Sequence, residues 1–407
     1  MKNVFNKIKI KNKLSDINRK DKNRDFVFSD DIFLSRKGRV RNYNSLIIDQ
    51  TQIGVKKYIE NNIENTSDNF VVEDTDGLYF DKFSHNLKDK GYCVKAINFK
   101  KEIVNVLSYY DPFADINSGE DITFLANLII SSVENAPYLN LVEEDYFWLD
   151  FSTALLNALI CFVSKSGDNN FENLIKLLQK KDLDEIHDIC EINQGIKALG
   201  HKTLNVVVEN CYYKVLNFKN RVLIHINKND VIDLKQRINQ KTAIFLVKPI
   251  CEHPIVAFSN IFYYFIYSKI RNIDGDSIVW RFFIDENNYN YNLLQKLLIN
   301  SSSDICVDLI LKNLDSFQNK QHYIYMLDMF NQVILFGGQT IESNVKYVDE
   351  IMKDSFIYEI FSVYSGDKDK DIKSLLRRLK WNEFILLIKS EKIAVKDRLE
   401  VSKCGIF

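Results

Sequence analysis

The chain has 407 residues, with 54 Lys and Arg against 55 Asp and Glu, 46% apolar and 13% aromatic residues. That length and composition suit two or three packed domains and exclude disorder as the main theme. A formal net charge of -1 removes any global attraction to nucleic acid or to an acidic membrane, so binding of either kind has to come from a local patch.

The first such patch opens the chain. Residues 1–24 carry nine Lys or Arg against Asp16 and Asp21, with almost no apolar periodicity. This basic tail reads as a solvated flexible end, or as a contact for DNA or an acidic lipid face. Short β-branched or aromatic runs then follow at 45–48, 69–72 and 92–97. From about 122 to 217 the period is mainly helical, as in 151–160 and 171–178. Strand-like runs resume at 242–247, 281–284, 305–311, 333–336 and 384–388. Near-continuous apolar strands imply burial on both faces, and strands alternating with helix-length segments imply a parallel sheet covered by helices. The expected class is α/β, with the sheet unit formed by 25–115 and 236–407 and an all-helical insertion over 116–235. The longest mainly apolar stretches, 155–163 and 255–267, fall short of the roughly 20 residues that span a bilayer, so no transmembrane helix is expected.

Seven cysteines form no C-x-x-C pair and six histidines supply no short-spaced ligand set. A zinc site is not expected, and a reducing cytosol is the natural compartment. Two segments stand where an α/β protein places chemistry. Residues 47–58 form a strand, a loop and a helix start, the position of a phosphate-binding loop. Such a loop uses glycines to let N–H groups approach phosphate, a Lys for the β/γ oxygens and a Ser/Thr hydroxyl for magnesium. Of its usual groups only Gly54 stands in place, so taken alone the segment reads as an ordinary strand-to-helix turn. The run 280–286 is an apolar strand ending in Asp285 and Glu286. In P-loop ATPases such a pair organises the magnesium shell and orients the attacking water; alone, it is a weak signal and reads first as acids closing a strand. Two further turns, the acidic 73–77 and the glycine pair Gly337-Gly338, follow buried strands and are bland singly.

The order of these fragments resembles the TraG/TraD-like family of conjugative type IV secretion coupling proteins, particularly its Firmicute branch, over roughly 25–399. Asp74-Thr75-Asp76-Gly77-Leu78 is similar to the family's D-P-K-G-E turn, Tyr110-Asp111-Pro112-Phe113 to its YNPF, and Asp145-Tyr146-Phe147-Trp148 to its DPFW. Thr242-Ala243-Ile244-Phe245 resembles its TAlF, the run 282–286 its filDE, and 335–338 its lfLGG. The resemblance implies a RecA-like P-loop NTPase fold interrupted by an all-α domain, ATP and Mg as cofactors, Asp285 and Glu286 as catalytic residues with Asp285 on the metal, and Thr51, Gly54, Lys56 and Lys57 at the nucleotide. In ungapped register Asp49 and Gln52 stand at loop glycines, Val55 at the Lys and Lys56 at the Ser/Thr. In a slipped register Lys56 substitutes for the Lys.

These residues lead to a divergent coupling-protein homologue with impaired ATP hydrolysis and a scaffolding or modulatory role. It would act beside conjugation or type IV secretion proteins, including a full-length coupling ATPase, as a homo- or hetero-oligomer. The alternatives are an active DNA-translocating ATPase, and a DNA- or relaxosome-binding adaptor using the basic tail or helical insertion. The expected location is cytoplasmic or peripheral at the inner face of the membrane, where adsorption or a partner would stand in for the family's transmembrane helices.

Overall fold

A computed structural model describes residues 24–36, 42–75, 77–98, 110–131, 146–166, 170–190, 193–222, 232–237, 240–247, 253–271, 279–285, 291–299, 304–314, 325–338, 344, 347, 378–391 and 393–399. A two-strand hairpin, β1 (Phe26–Val27) and β2 (Phe33–Leu34), precedes the main sheet. The sheet contains β3 (Ser45–Ile48), β4 (Asn69–Asp74), β5 (Cys93–Asn98), β6 (Thr242–Val247), β7 (Trp280–Asp285), β8 (Ile305–Leu311), β9 (Gln332–Phe336), β10 (Glu383–Ile388) and β11 (Ile393–Arg398). Among the described residues these lie in the order β11-β10-β9-β3-β8-β7-β4-β6-β5. Strands β3 to β9 pair in parallel, whereas β10 and β11 form an antiparallel margin beside β9.

The apolar runs become central strands because both of their faces are covered. Along β3, Ile47 faces one core while Leu46 and Ile48 face the other; along β4, Phe70 and Val72 oppose Val71 in the same way. One face carries α1 (Ile53–Asn65), α2 (Leu78–Asp89) and the β1–β2 hairpin. On the other face the described helices are α3 (Gly119–Ser131), α4 (Tyr146–Lys165), α5 (Phe171–Lys180), α6 (Leu183–Ile189), α7 (Gln194–Lys197), α8 (His201–Val222), α9 (Leu234–Arg237), α10 (His253–Arg271) and α11 (Tyr291–Ile299). From α3 to α9 no strand intervenes among the described residues. This helical stretch packs on α10, where buried Asp121 accepts from Tyr264 Oη at 3.0 Å and Ser268 Oγ at 3.3 Å, and Lys269 lies 3.2 Å from Asp115.

By length and composition one described helix segment, Phe147–Lys165, is apolar enough to cross a membrane, with mean hydropathy 1.6. The expectation of no spanning helix rests on the shorter run 155–163; the flanking aromatic turn of α4 extends the apolar length beyond it. In the fold, Leu155, Leu156, Leu159 and Ile160 of α4 are fully buried and belong to the core shared with α3, α5 and α8. Burial of one such leucine is worth about 2 kcal/mol, so α4 is anchored in the helical stretch by its own apolar face.

Candidate functional site

The C-terminal ends of β3, β7 and β4 lie along one edge of the sheet, with β8 between β3 and β7, where an open parallel sheet places ligands. After β3 the chain turns through Asp49, Gln50, Thr51 and Gln52 into α1. The Asp49 side chain is fully buried. Its Oδ1 accepts from Thr51 N at 2.9 Å and Thr51 Oγ1 at 2.7 Å, and its Oδ2 accepts from Val55 N at 2.8 Å. Gln52 holds the left-handed conformation, φ 62°, and its Nε2 donates to Asp49 O at 2.8 Å. Thus a carboxylate of the chain already takes an N–H from the first turn of α1, the kind of donor a bound phosphate uses. The sequence-level expectation placed Asp49 at a loop glycine; the fold makes it the cap that closes the turn.

The predicted nucleotide-site residues are dispersed in role. The Thr51 hydroxyl is committed to Asp49. Gly54 is required by packing, since a methyl group there would overlap the buried Phe336 ring at the end of β9. Val55, at the expected lysine position, is 4% exposed and faces the apolar core beneath α1. Lys56 is exposed. Lys57 lies 4.0 Å from Glu60, which also pairs with Lys82 at 2.9 Å. A triphosphate needs a cationic, glycine-lined cradle; a fully buried carboxylate and a buried valine do not fit it.

At the end of β7, Asp285 is partly buried and its N–H donates to Glu73 Oε2 at 3.1 Å. Glu286 lies outside the described residues. Glu73, on the neighbouring strand β4, also accepts from Tyr263 Oη of α10 at 2.8 Å. Burial, then the Glu73 charge, pushes the Tyr263 hydroxyl well above its ordinary range. Sequence reasoning noted the acidic turn 73–77 but did not pair Glu73 with Asp285. Their common position at the ends of strands was visible; the adjacency of β4 and β7 was not.

The turn after β4 repeats the device seen after β3. Asp74 Oδ2 accepts from Phe80 N at 2.8 Å and Oδ1 from Tyr79 N at 3.2 Å. Here the left-handed residue is Gly77, φ 76°. Burial raises the Asp74 carboxyl above its ordinary range, opposed by those N–H donors. Asp76 lies outside the described residues. The glycine pair after β9 is explained by close backbone approach: Gly337 N donates to Glu383 O at 2.9 Å and Gly338 N to Leu379 O at 3.2 Å. Any side chain on Gly337 would meet the Lys380 carbonyl. Among the described residues, no group of three or more His, Cys, Asp or Glu is placed to hold a metal ion.

No known family's sequence profile matches the chain, and no curated protein sequence matches it. Solved structures do. The unbound bacterial conjugative coupling protein TrwBdeltaN70 is similar with a TM-score of 0.67 at 14% identity, covering 97% of this chain and 92% of that one. Plasmid coupling protein TrwB in complex with ADP and Mg2+ gives 0.67 at 14% identity over 96% and 92%. VirB4 of Thermoanaerobacter pseudethanolicus gives 0.50 at 10% identity over 91% and 94%. The chain therefore has the fold of the conjugative coupling proteins, a mainly parallel RecA-like sheet flanked by helices.

Proposed function

We propose that this chain is a divergent coupling-protein homologue of type IV secretion that serves as a scaffold or modulator and does not work as an ATP-driven motor. One observation carries the reading: the Asp49 carboxylate fills the helix N-terminus after β3, while Val55 buries an apolar group where the phosphate lysine is expected. The likeness to TrwB supplies the context, since that protein is seen with ADP and Mg2+ and with an ATP analogue. On this reading the RecA-like unit is 25–115 with 236–407, and 116–235 is the inserted helical domain. Its partners on this reading are conjugation or type IV secretion proteins, among them a full-length coupling ATPase with the same fold.

The test is calorimetry of Mg-ATP with the full chain. Wild type and a Val55→Lys, Lys56→Thr variant are expected to show no binding, because Asp49 still occupies the turn. Adding Asp49→Gly to those two substitutions is expected to produce micromolar binding. Micromolar binding by wild type, weakened by Asp285→Asn, would overturn the reading. It would favour the second one, a translocating ATPase in which the exposed Lys56 supplies the missing charge. Mg-ATP turnover lost in Glu286→Gln would establish that alternative.

A further inference from the structure

A dense charged cluster lies away from the C-terminal strand ends, beneath the β1–β2 hairpin. Arg281 of β7 is fully buried between the Phe26 and Phe283 rings, its guanidinium carbon 4.6 and 4.7 Å from their centroids. Its Nε donates to Asp308 Oδ2 at 2.8 Å, one Nη to Tyr58 Oη at 2.8 Å and the other to Asn62 Oδ1 at 2.7 Å and Asp25 O at 3.3 Å. Asn62 in turn grips the hairpin, accepting from Val27 N at 2.9 Å and donating to Val27 O at 2.7 Å. Asp25 and Arg36 flank the hairpin. Arg36 N donates to Asp25 Oδ2 at 2.9 Å, and its Nη2 lies 2.5 Å from Oδ1 of Asp68, the residue before β4.

The buried charged groups here are Arg281, Asp25, Asp68 and Asp308, with the Tyr58, Tyr92 and Cys306 side chains beside them; Arg36 is partly exposed, and Arg24 over the Phe33 ring, Lys241 over the Tyr92 ring and Asp397, which accepts from Ser29 Oγ at 2.6 Å, lie at the margin. Three buried carboxylates thus face one buried guanidinium. Asp68 and Asp308 are 0% exposed and Asp25 is 5% exposed. An excess anion in such a place lacks both water and a counter-charge, and protonation of one carboxyl relieves it. Asp308 Oδ2 is held by both Arg281 and Tyr58, while its Oδ1 has no hydrogen-bond partner among the described residues. Asp25 takes an N–H of the hairpin. Asp68 has only the Arg36 cation near one oxygen, and neither of its oxygens accepts a hydrogen bond among the described residues.

We propose that the N-terminal hairpin is a proton-coupled strap: Asp68 takes up a proton when the hairpin closes over Arg281 and releases it when the hairpin lifts. Lifting removes Arg36 and Asp25 and opens Asp68 to water, where an aspartyl group titrates near pH ~3.9. In the closed state burial pushes Asp68 up to about 7, with Arg36 and Arg281 opposing. The closed form thus binds more protons between those values, so closure is strongest at the acid end and weakens as pH rises toward 7. Strands of two residues do not hold a hairpin by themselves, so its closure depends on this cluster and on the apolar anchors Phe26, Phe28, Ile32 and Leu34.

The experiment is amide hydrogen exchange on the full chain from pH 5 to 7.5, corrected for the intrinsic pH dependence of exchange. Protection at Val27, Phe28 and Ser29 is expected to fall by up to about tenfold per pH unit between 5 and 7, the limit for one coupled proton. Amides of β8 serve as the reference for global unfolding and are expected to hold. In Asp68→Asn the hairpin protection is expected to become flat with pH. A wild-type hairpin whose protection does not change across this range overturns the proposal without recourse to a variant, and so does a slope that persists in Asp68→Asn.

Discussion

Asp49 and Asp74, at the ends of central strands, and Asp308, under the hairpin, are held in opposite ways. Asp49 and Asp74 accept main-chain N–H groups five or six residues ahead, so each is closed by its own turn. The Asp308 carboxylate is held by Arg281, which also reaches partners 219, 223 and 256 residues away in sequence. The first arrangement is local and uses neutral dipoles; the second is long-range and uses a full charge. Local caps can fail one at a time, whereas loss of Arg281 removes hydrogen bonds from Asp308, Tyr58, Asn62 and the Asp25 carbonyl at once.

Arg281→Met is the harshest test of that contrast. Removing one member of a buried ion pair is expected to cost about 3–5 kcal/mol, read from the urea midpoint, and Asp308→Leu in the same chain is expected to recover more than half of it. A double variant no more stable than the single would mean that lost packing around Phe26 and Phe283, and not stranded charge, sets the cost.

At the strand ends the effect should be smaller. Asp49→Ala leaves the Thr51 and Val55 amides without their acceptor and is expected to cost about 2 kcal/mol, with Asp49→Asn intermediate because one carbonyl oxygen remains. A cost below roughly 0.5 kcal/mol would mean that water replaces the carboxylate, and the turn would then be open to an external anion.

The two turns also differ from each other, and the smallest prediction measures that difference. Gly77→Ala forces a Cβ into the left-handed region and is expected to cost about 1 kcal/mol in denaturant unfolding. At the matching position Gln52 already bears that strain, so Gln52→Gly should not lose stability beyond its single bond to Asp49 O. Equal losses at both positions would show that the turns are not equivalent devices.

Much of the sheet was legible in the chain. The runs 45–48, 242–247 and 305–311 match β3, β6 and β8 because a strand buried on both faces has to be apolar throughout. Helical periods at 151–160 and 171–178 fall inside α4 and α5 for a similar reason. The hairpin strands were not called, since two residues carry no period, and neither was β11, whose sequence Ile393–Arg398 ends in charge. At the candidate site the sequence located the turn after β3 and the acid at Asp285. It did not pair Glu73 with Asp285, nor show what Asp49 does.

What the sequence by itself determined is the alternation of buried strands and helices, and the departure from phosphate-loop chemistry at Asp49, Gln52, Val55 and Lys56. These are local matters, decided by side-chain size, charge and period. Only the tertiary structure decided the strand order that sets β4 beside β7, the folding of Asp49 back onto the N–H groups of α1, and the meeting of Arg281 with Asp308, Asn62 and Asp25. Those contacts exist because burying both faces of one sheet brings distant polar groups to places that water cannot reach, where each has to find a partner within the chain.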